Sequence, residues 1–233
     1  MFFICRLSIV AGFVLMMAAS VAYGSRPLVT DDASIVDPKA CQLESWIQKN
    51  RGSTEYWALP ACNFTGNLEL TLGGSRFSDA DGTRTANMTL QGNTLFKPLA
   101  PNNWGIRLVA GHVGRANATG DSQWYAYIPA SFSFQDDRFR LHLNGGWLRD
   151  SQDRRNHLTW GIASETRIAR HTSLLAEMFN QDEDRPSFQI GFRHSLVPER
   201  VQVDGTYGNN IGGGSGGGWF SLGLRLLSVP FLP

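Results

Sequence analysis

The sequence has no excess of positive charge, few cysteines and, beyond residue 24, no apolar run long enough to cross a membrane as a helix. Lys and Arg number 21 against 20 Asp and Glu, and Arg6 is the only charged residue ahead of Ser25, so a chain starting at Ser25 holds 20 of each sign. Nucleic-acid binders need an excess of Lys and Arg, usually gathered on one face, so that class is excluded. A helical membrane protein needs apolar stretches of about 20 residues, and none lies in 25–233. Helical periodicity is nearly absent too, which leaves strands to build the fold.

What the chain has at its front is an export signal. Arg6 precedes an apolar run, Leu7 to Val21, that is short for a membrane helix. Ala22 and Gly24 occupy the small-residue positions for cleavage before Ser25, with cleavage after Ala22 the nearest alternative. Cys5 lies ahead of the apolar run, so it is not the lipidated cysteine of a lipoprotein and leaves with the signal. Cys41 and Cys62 remain. An even pair in an oxidising periplasm reads as a disulfide ahead of a metal site or a catalytic thiol. The expected organisation is a signal peptide over 1–24, a polar periplasmic or lumen-plug segment over 25–39, and a β-domain over 40–233.

Alternating patterns fill that domain at 40–50, 53–63, 66–77, 84–97, 103–114, 122–134, 139–148, 156–168, 172–181, 186–196, 201–209 and 218–228. Each is near the length a tilted strand needs to cross a bilayer. The last sets Phe220, Leu222, Leu224 and Leu226 on one face against Ser221, Gly223 and Arg225 on the other. Alternation is poor in the first two, and Pro60 interrupts the second. The expected fold is all-β: a transmembrane antiparallel up-and-down barrel of about 12 strands in a Gram-negative outer membrane. An even strand number puts both termini in the periplasm, so even-to-odd connections should be short and odd-to-even ones longer. QDDR at Gln135, ARH at Ala169 and VPER at Val197 fit the inner side. SDADGT at Ser78, RANATGD at Arg115, RDSQDRR at Arg149, QDEDR at Gln181 and the glycine-rich stretch from Asn209 fit the outer side.

The faces agree with this. Trp104, Ile106 and Leu108, then Ala126, Ile128 and Phe132, then Leu158, Trp160 and Ile162, then Phe188, Ile190 and Phe192 make an apolar band for lipid. The opposite face carries Glu69, Arg107, Arg140, His142, Asn144, Glu165, Arg167, Glu177, Gln189, Arg193, Asp204 and Arg225. Arg or Lys facing lipid at the midplane costs about 2–4 kcal/mol, so these residues are expected to line the lumen. Trp104, Phe134 and Phe139 are expected in the inner aromatic girdle and Trp124, Trp147 and Trp219 in the outer one.

The start RPLVTDDA from Arg26, a following proline and CQLESW from Cys41 resemble the N-terminal signature of the outer-membrane family labelled "MetA-pathway of phenol degradation". The ending GLRLLSVPFLP from Gly223 is similar to that family's last strand. The resemblance frames the mature chain, with its specific motifs at the two ends. Through the grouping of that family with fatty-acid-transporter-like barrels, it implies passage of apolar or aromatic molecules. One departure stands out: Phe231 is followed by Leu232 and Pro233, whereas outer-membrane strands commonly end on an aromatic residue read by the barrel assembly machinery.

Nothing in the sequence reads as catalytic, and no cofactor or metal ligand set is recognised. The phospholipase type of outer-membrane hydrolase needs a His and a Ser two apart on one strand face near the outer leaflet. His171 and Ser173 have that spacing but fall at a periplasmic turn. His194 and Ser195 are adjacent and point to opposite faces. His112, His142 and His157 have no partner at ligand spacing. DADG at Asp79 lacks the later ligands of a calcium loop and reads as a hairpin turn. Asp182, Glu183 and Asp184 read as a solvated loop, with a divalent-ion bridge to lipopolysaccharide as the alternative. The glycines from Gly212 to Gly218 have no Walker lysine after them and read as a flexible loop.

The lumen charges are either a paired network filling a narrow barrel or the constriction of a pore. Arg26, Asp31 and Asp32 make 25–39 a candidate plug, with Arg140 and Glu165 as candidate partners. The expected function is a passive outer-membrane channel or transporter-like barrel for small, apolar or aromatic compounds. Its surroundings are membrane lipid, lipopolysaccharide and the assembly machinery. A lipid-acting hydrolase, a non-conducting structural or surface-interaction barrel and a soluble periplasmic β protein are the alternatives.

Overall fold

The computed structural model describes residues 26–116, 121–152, 154–181, 185–212 and 217–233. The expected signal peptide, Ser25, the acidic run 182–184 and parts of three other loops lie outside the described residues.

Strands form because apolar and polar residues alternate with period two, so that one face of each strand can meet lipid and the other the interior. In chain order they are β1 (Cys41–Asn50), β2 (Ser53–Asn63), β3 (Leu68–Asp79), β4 (Arg84–Lys97), β5 (Trp104–Arg115), β6 (Ser122–Phe134), β7 (Phe139–Asp150), β8 (Asn156–Ala169), β9 (Thr172–Gln181), β10 (Ser187–Val197), β11 (Val201–Asn210) and β12 (Trp219–Leu227). Every neighbour is antiparallel, and β12 pairs with β1 to close the barrel. Closure removes the open edge, which a sheet in hydrocarbon cannot tolerate. No helix among the described residues is long and apolar enough to cross a membrane.

The first two strands, where alternation is weakest, pair in full register from Cys41↔Cys62 to Lys49↔Thr54. Cys41 and Cys62 are bonded, with Cα atoms 4.0 Å apart. Pro60 faces Leu43 of β1 within that ladder, while the β2–β3 ladder skips Leu59 and Pro60. The missing N–H of proline is thus absorbed on one side of the strand.

Ile47, Leu72, Leu90, Leu158, Ile190, Phe220 and Leu222 lie exposed on the outer surface. Trp124 and Trp147 face outward near the extracellular ends of their strands, and Trp104 and Phe134 near the periplasmic ends. Trp219 departs from the expected girdle. It shares the inward face of β12 with Ser221 and Arg225, and its indole N–H donates to the buried Gln189 at 3.0 Å. The outer aromatic position there is filled by Tyr207 against Phe220, with ring centroids 4.9 Å apart.

The connections sort only in part. Turns 135–138, 170–171 and 198–200 are tight, and 211–218 is long, as expected. Residues 51–52 make the extracellular β1–β2 turn shorter than any periplasmic one except 170–171, and the periplasmic link 98–103 is long. At the periplasmic rim Gln135, Asp136 and Asp137 are all left-handed, and Asn102 and Asp136 exchange hydrogen bonds of 2.6 and 2.9 Å that tie two turns together. Partial burial raises the Asp137 carboxyl, but the Ser133 hydroxyl and Arg140 outweigh it and hold that group below its usual range. The three register shifts, in β4, β8 and β10, also sit at this rim, where bulges commonly terminate pairing. The tail beyond β12 folds back there, and the Phe231 and Leu232 N–H groups donate to the Lys39 carbonyl at 2.9 and 3.0 Å.

Candidate functional site

The interior is organised around residues 26–40, which run inside the barrel up to Val36; Asp37, Pro38 and Lys39 are exposed. Arg26, Leu28, Thr30, Asp31, Ala33, Val36 and Ala40 are buried there. A polar segment in such a space must have each of its hydrogen-bonding groups met by the wall, and the contacts go around most of the circumference. Near the base, the Asn63 amide donates to the Val36 carbonyl at 2.8 Å and the Val36 N–H donates to Glu69 at 2.9 Å. The Ala33 N–H donates to the Ser131 hydroxyl at 2.8 Å. Asp31 pairs with Arg107 and accepts from the Tyr127 hydroxyl at 3.0 Å. Asn144, with its amide turned to satisfy both groups, accepts from the Asp31 N–H at 2.7 Å and donates to its carbonyl at 2.9 Å.

The other wall meets backbone and cation. Glu177 accepts from the N–H groups of Val29 and Thr30 at 2.9 and 2.8 Å. Gln189 donates to the Pro27 carbonyl at 2.7 Å, and Arg193 to that of Arg26 at 2.6 Å. The Arg26 guanidinium pairs with Asp204 at 2.5 Å, reaches Ser221 at 3.3 Å and lies over the Trp46 ring, 4.7 Å from its centroid. By contrast, only Leu28 of the segment joins a buried apolar cluster, with Ala163 and Leu175.

The wall is contoured to the segment by two missing side chains. A Cβ on Gly161 would come within 2.4 Å of Thr30 Oγ1, and one on Gly223 within 2.4 Å of Arg26 Nη2. Neither glycine has a positive φ, so the requirement is for space and not for backbone freedom.

Of the residues expected to line the lumen, Glu69, Arg107, Glu177, Gln189, Arg193 and Asp204 contact the segment directly. Glu165 pairs with Arg193 at 3.1 Å through both carboxylate oxygens, and Arg225 with Glu44 at 3.4 Å and with Gln42. His142 faces inward, bonded to Ser131 at 2.8 Å. Arg140 turns to Asp137 in the rim, at 3.2 Å, and Arg167 is exposed at the same rim, donating to the Asp136 carbonyl at 2.6 Å. The expected partners of the segment, Arg140 and Glu165, are therefore engaged elsewhere. Asp204 and Arg107 take those places because strand register, which composition does not reveal, sets which charges come level. Arg193 likewise pairs with Glu165 two strands away in sheet order. Glu177 stands opposite Gln189 in the β9–β10 ladder.

That wall pair is directly testable. Removing one partner of a buried pair costs about 3–5 kcal/mol, because the other charge is left alone. Arg193→Ala and Glu165→Ala should each destabilise urea-dependent folding into liposomes, and the double variant should cost less than their sum. Strict additivity would show that the two do not interact.

Asn144 is inward as expected, and the pattern reading missed Ser131, Tyr127, Asn63 and Trp46. The signal for Ser131 was present: the short turn at 135–138 pairs Phe134 with Phe139, and counting back places Ser131 opposite His142. This Ser–His pair is fully buried beneath Ala33. The other interior features are a stacked Trp46–Trp57 pair with centroids 4.9 Å apart and a cavity of about 40 Å³ between the segment and β1–β5. That cavity, bordered by Asp31, Glu44, Glu69, Arg107 and Arg225, has room for a few waters. Among the described residues no group of three His, Cys, Asp or Glu side chains could hold a metal ion.

A closed antiparallel barrel of 12 strands, with an apolar outer band and a polar interior, is a transmembrane barrel of the outer-membrane type. The chain belongs to the family described as "Uncharacterised conserved protein UCP029691", whose model matches residues 11–227. No curated protein matches the sequence. Among solved structures it is similar to the KdgM porin in complex with disordered oligogalacturonate, with a TM-score of 0.63 at 8% identity over 79% of this chain and 98% of that one. The NanC porin gives 0.60 at 8% identity over 80% and 98%. The COG4313 outer membrane channel from Pseudomonas putida F1 gives 0.56 at 14% identity over 84% and 96%. At these identities the likeness is one of fold.

Proposed function

We propose that this barrel is a passive outer-membrane channel for small solutes, and that residues 26–40 are the plug that closes it. The observation that carries the reading is how the segment is held. Its contacts are almost all hydrogen bonds and ion pairs, which water can replace group by group, whereas a permanent filler gains most from apolar burial. The wall glycine 161 adds to this, since it leaves space that Thr30 of the segment fills, and at Gly223 the space is shared by Arg26 and its partner Asp204. Similarity of fold to porins supports a conducting barrel. The resemblance to the MetA-pathway family supports apolar or aromatic solutes. So do Val109, Val113, Tyr125, Tyr127 and Leu148, which cluster on the inner wall above Arg107.

The test is ion conductance and solute uptake by the refolded mature protein in liposomes, with and without residues 25–39. Deletion should raise conductance and leave heat-modifiable migration on gels intact. If the truncated barrel inserts and conducts no more than the full chain, the plug reading fails and a closed structural barrel replaces it.

The Ser131–His142 pair supports one second reading, a lipid-acting hydrolase. Against it, Ser131 is 0% exposed, and its hydroxyl already accepts the Ala33 N–H. We read the protein as non-enzymatic. Labelling of Ser131 by a fluorophosphonate in the truncated barrel would favour the hydrolase.

A further inference from the structure

Asp31 sits in groups that would hold any carboxylate. Arg107 pairs with its Oδ2, and the Tyr127 hydroxyl donates to the same oxygen at 3.0 Å, while Oδ1 accepts the Asp32 N–H at 3.0 Å. Arg107 is buried, and its Nε has no hydrogen-bond partner. A guanidinium binds a carboxylate best through two parallel N–H donors. A carboxylate tethered to the segment uses one of them, and a free one could use both.

The surroundings suggest what such a carboxylate would be attached to. Along β5 and β6 the inward residues on the extracellular side of Arg107 include Val109, Val113, Tyr127 and Tyr125, with Gln123 level with Val113, and Leu148 of β7 completes the buried apolar cluster. On the periplasmic side lie Ser131 and His142. A solute entering from outside passes the polar Gln123–Asp150 pair, then an apolar stretch of wall with a cation at its foot.

We infer that Arg107 and Tyr127 form a carboxylate subsite on the solute path, which Asp31 fills as a built-in mimic while the barrel is closed. The solute class is then a small monocarboxylate with an apolar body. This rests on the channel reading above. The subsite gives the plug a reason to be displaced, because a free acid competes with Asp31 for Arg107, whereas a neutral analogue does not.

Two full-length variants separate the parts. Asp31→Asn removes the mimic and keeps the subsite; Arg107→Gln loosens the plug and removes the subsite. Both should conduct more than wild type in planar bilayers. Benzoate should block Asp31→Asn at a concentration about tenfold below that for benzyl alcohol, as one charge-assisted contact allows. In Arg107→Gln the two probes should block alike. If both variants conduct more and benzoate shows no advantage in Asp31→Asn, the carboxylate subsite is overturned while the plug stands. If neither variant conducts more, the plug reading fails and the subsite with it. Should Asp31→Asn fail to insert, Gly161→Leu, which unseats Thr30 and keeps Arg107, takes its place: a benzoate advantage there supports the subsite, and equal block by the two probes overturns it.

Discussion

Gly161→Leu in the full-length mature protein is expected to raise mean current in planar bilayers by roughly 5- to 150-fold while heat-modifiable migration stays unchanged. The residue lies on the inward face of β8 between His157 and Glu165, and a Cβ there would meet Thr30 at Oγ1, Cβ and Cγ2, at 2.4 to 3.3 Å. Forcing extra methylenes into a packed contact costs about 1–3 kcal/mol, and that cost shifts a two-state balance by the stated factor. The barrel itself is spared, because the clash is with the segment and not with a neighbouring strand. Gly145→Leu is the control. Gly145 alternates with the inward Asn144, and a Cβ on it would meet nothing within 4 Å. An unchanged current in Gly161→Leu, with normal insertion, would show that Thr30 is not seated there or that the lumen stays shut without the segment.

The opposite manipulation should lock the barrel. In Thr30→Cys with Gly161→Cys, the two Cβ atoms would lie 3.2 Å apart, within a few tenths of an ångström of the roughly 3.5–4.5 Å that disulfides span. Added to Asp31→Asn, the bridge should return the current to the wild-type level under oxidising conditions, and a reductant should restore the larger current. The native Cys41–Cys62 bond lies in the β1–β2 ladder, clear of the segment contacts around Thr30, so its reduction alone should not mimic that release. A current insensitive to reductant, with the engineered bridge shown by mass spectrometry, would mean that movement of residues 26–40 does not gate the pore.

Much of this molecule is legible from periodicity alone. Strand number, strand limits to within two residues and the lipid-facing band follow from patterns of period two, because a strand in a barrel has only two environments and each selects its own chemistry; the cysteine pair follows from an even count behind an export signal. Trp219 escaped that logic: an aromatic residue near a strand end suits a girdle equally well, and only its parity with Ser221 and Arg225 turns it inward. The loop-length rule failed at residues 51–52 for a related reason, since a hairpin can be tight on either side of the membrane when nothing else occupies that loop.

The candidate site divides along the same line. Its ingredients, acids and bases on the inner face and a polar leader with Arg26, Asp31 and Asp32, are in the sequence, since charge cannot face hydrocarbon. Which ingredients meet is not. Arg26 with Asp204, Asp31 with Arg107, and Glu177 with two backbone N–H groups are contacts between residues up to 178 positions apart. They depend on the register of twelve closed strands and on the path of one irregular segment through them. A barrel with a charged interior is written in the chain, because alternation is a local property read along each strand. That residues 26–40 fill that interior is written nowhere along it, because only closure brings the inner faces of β5, β9 and β11 around one segment.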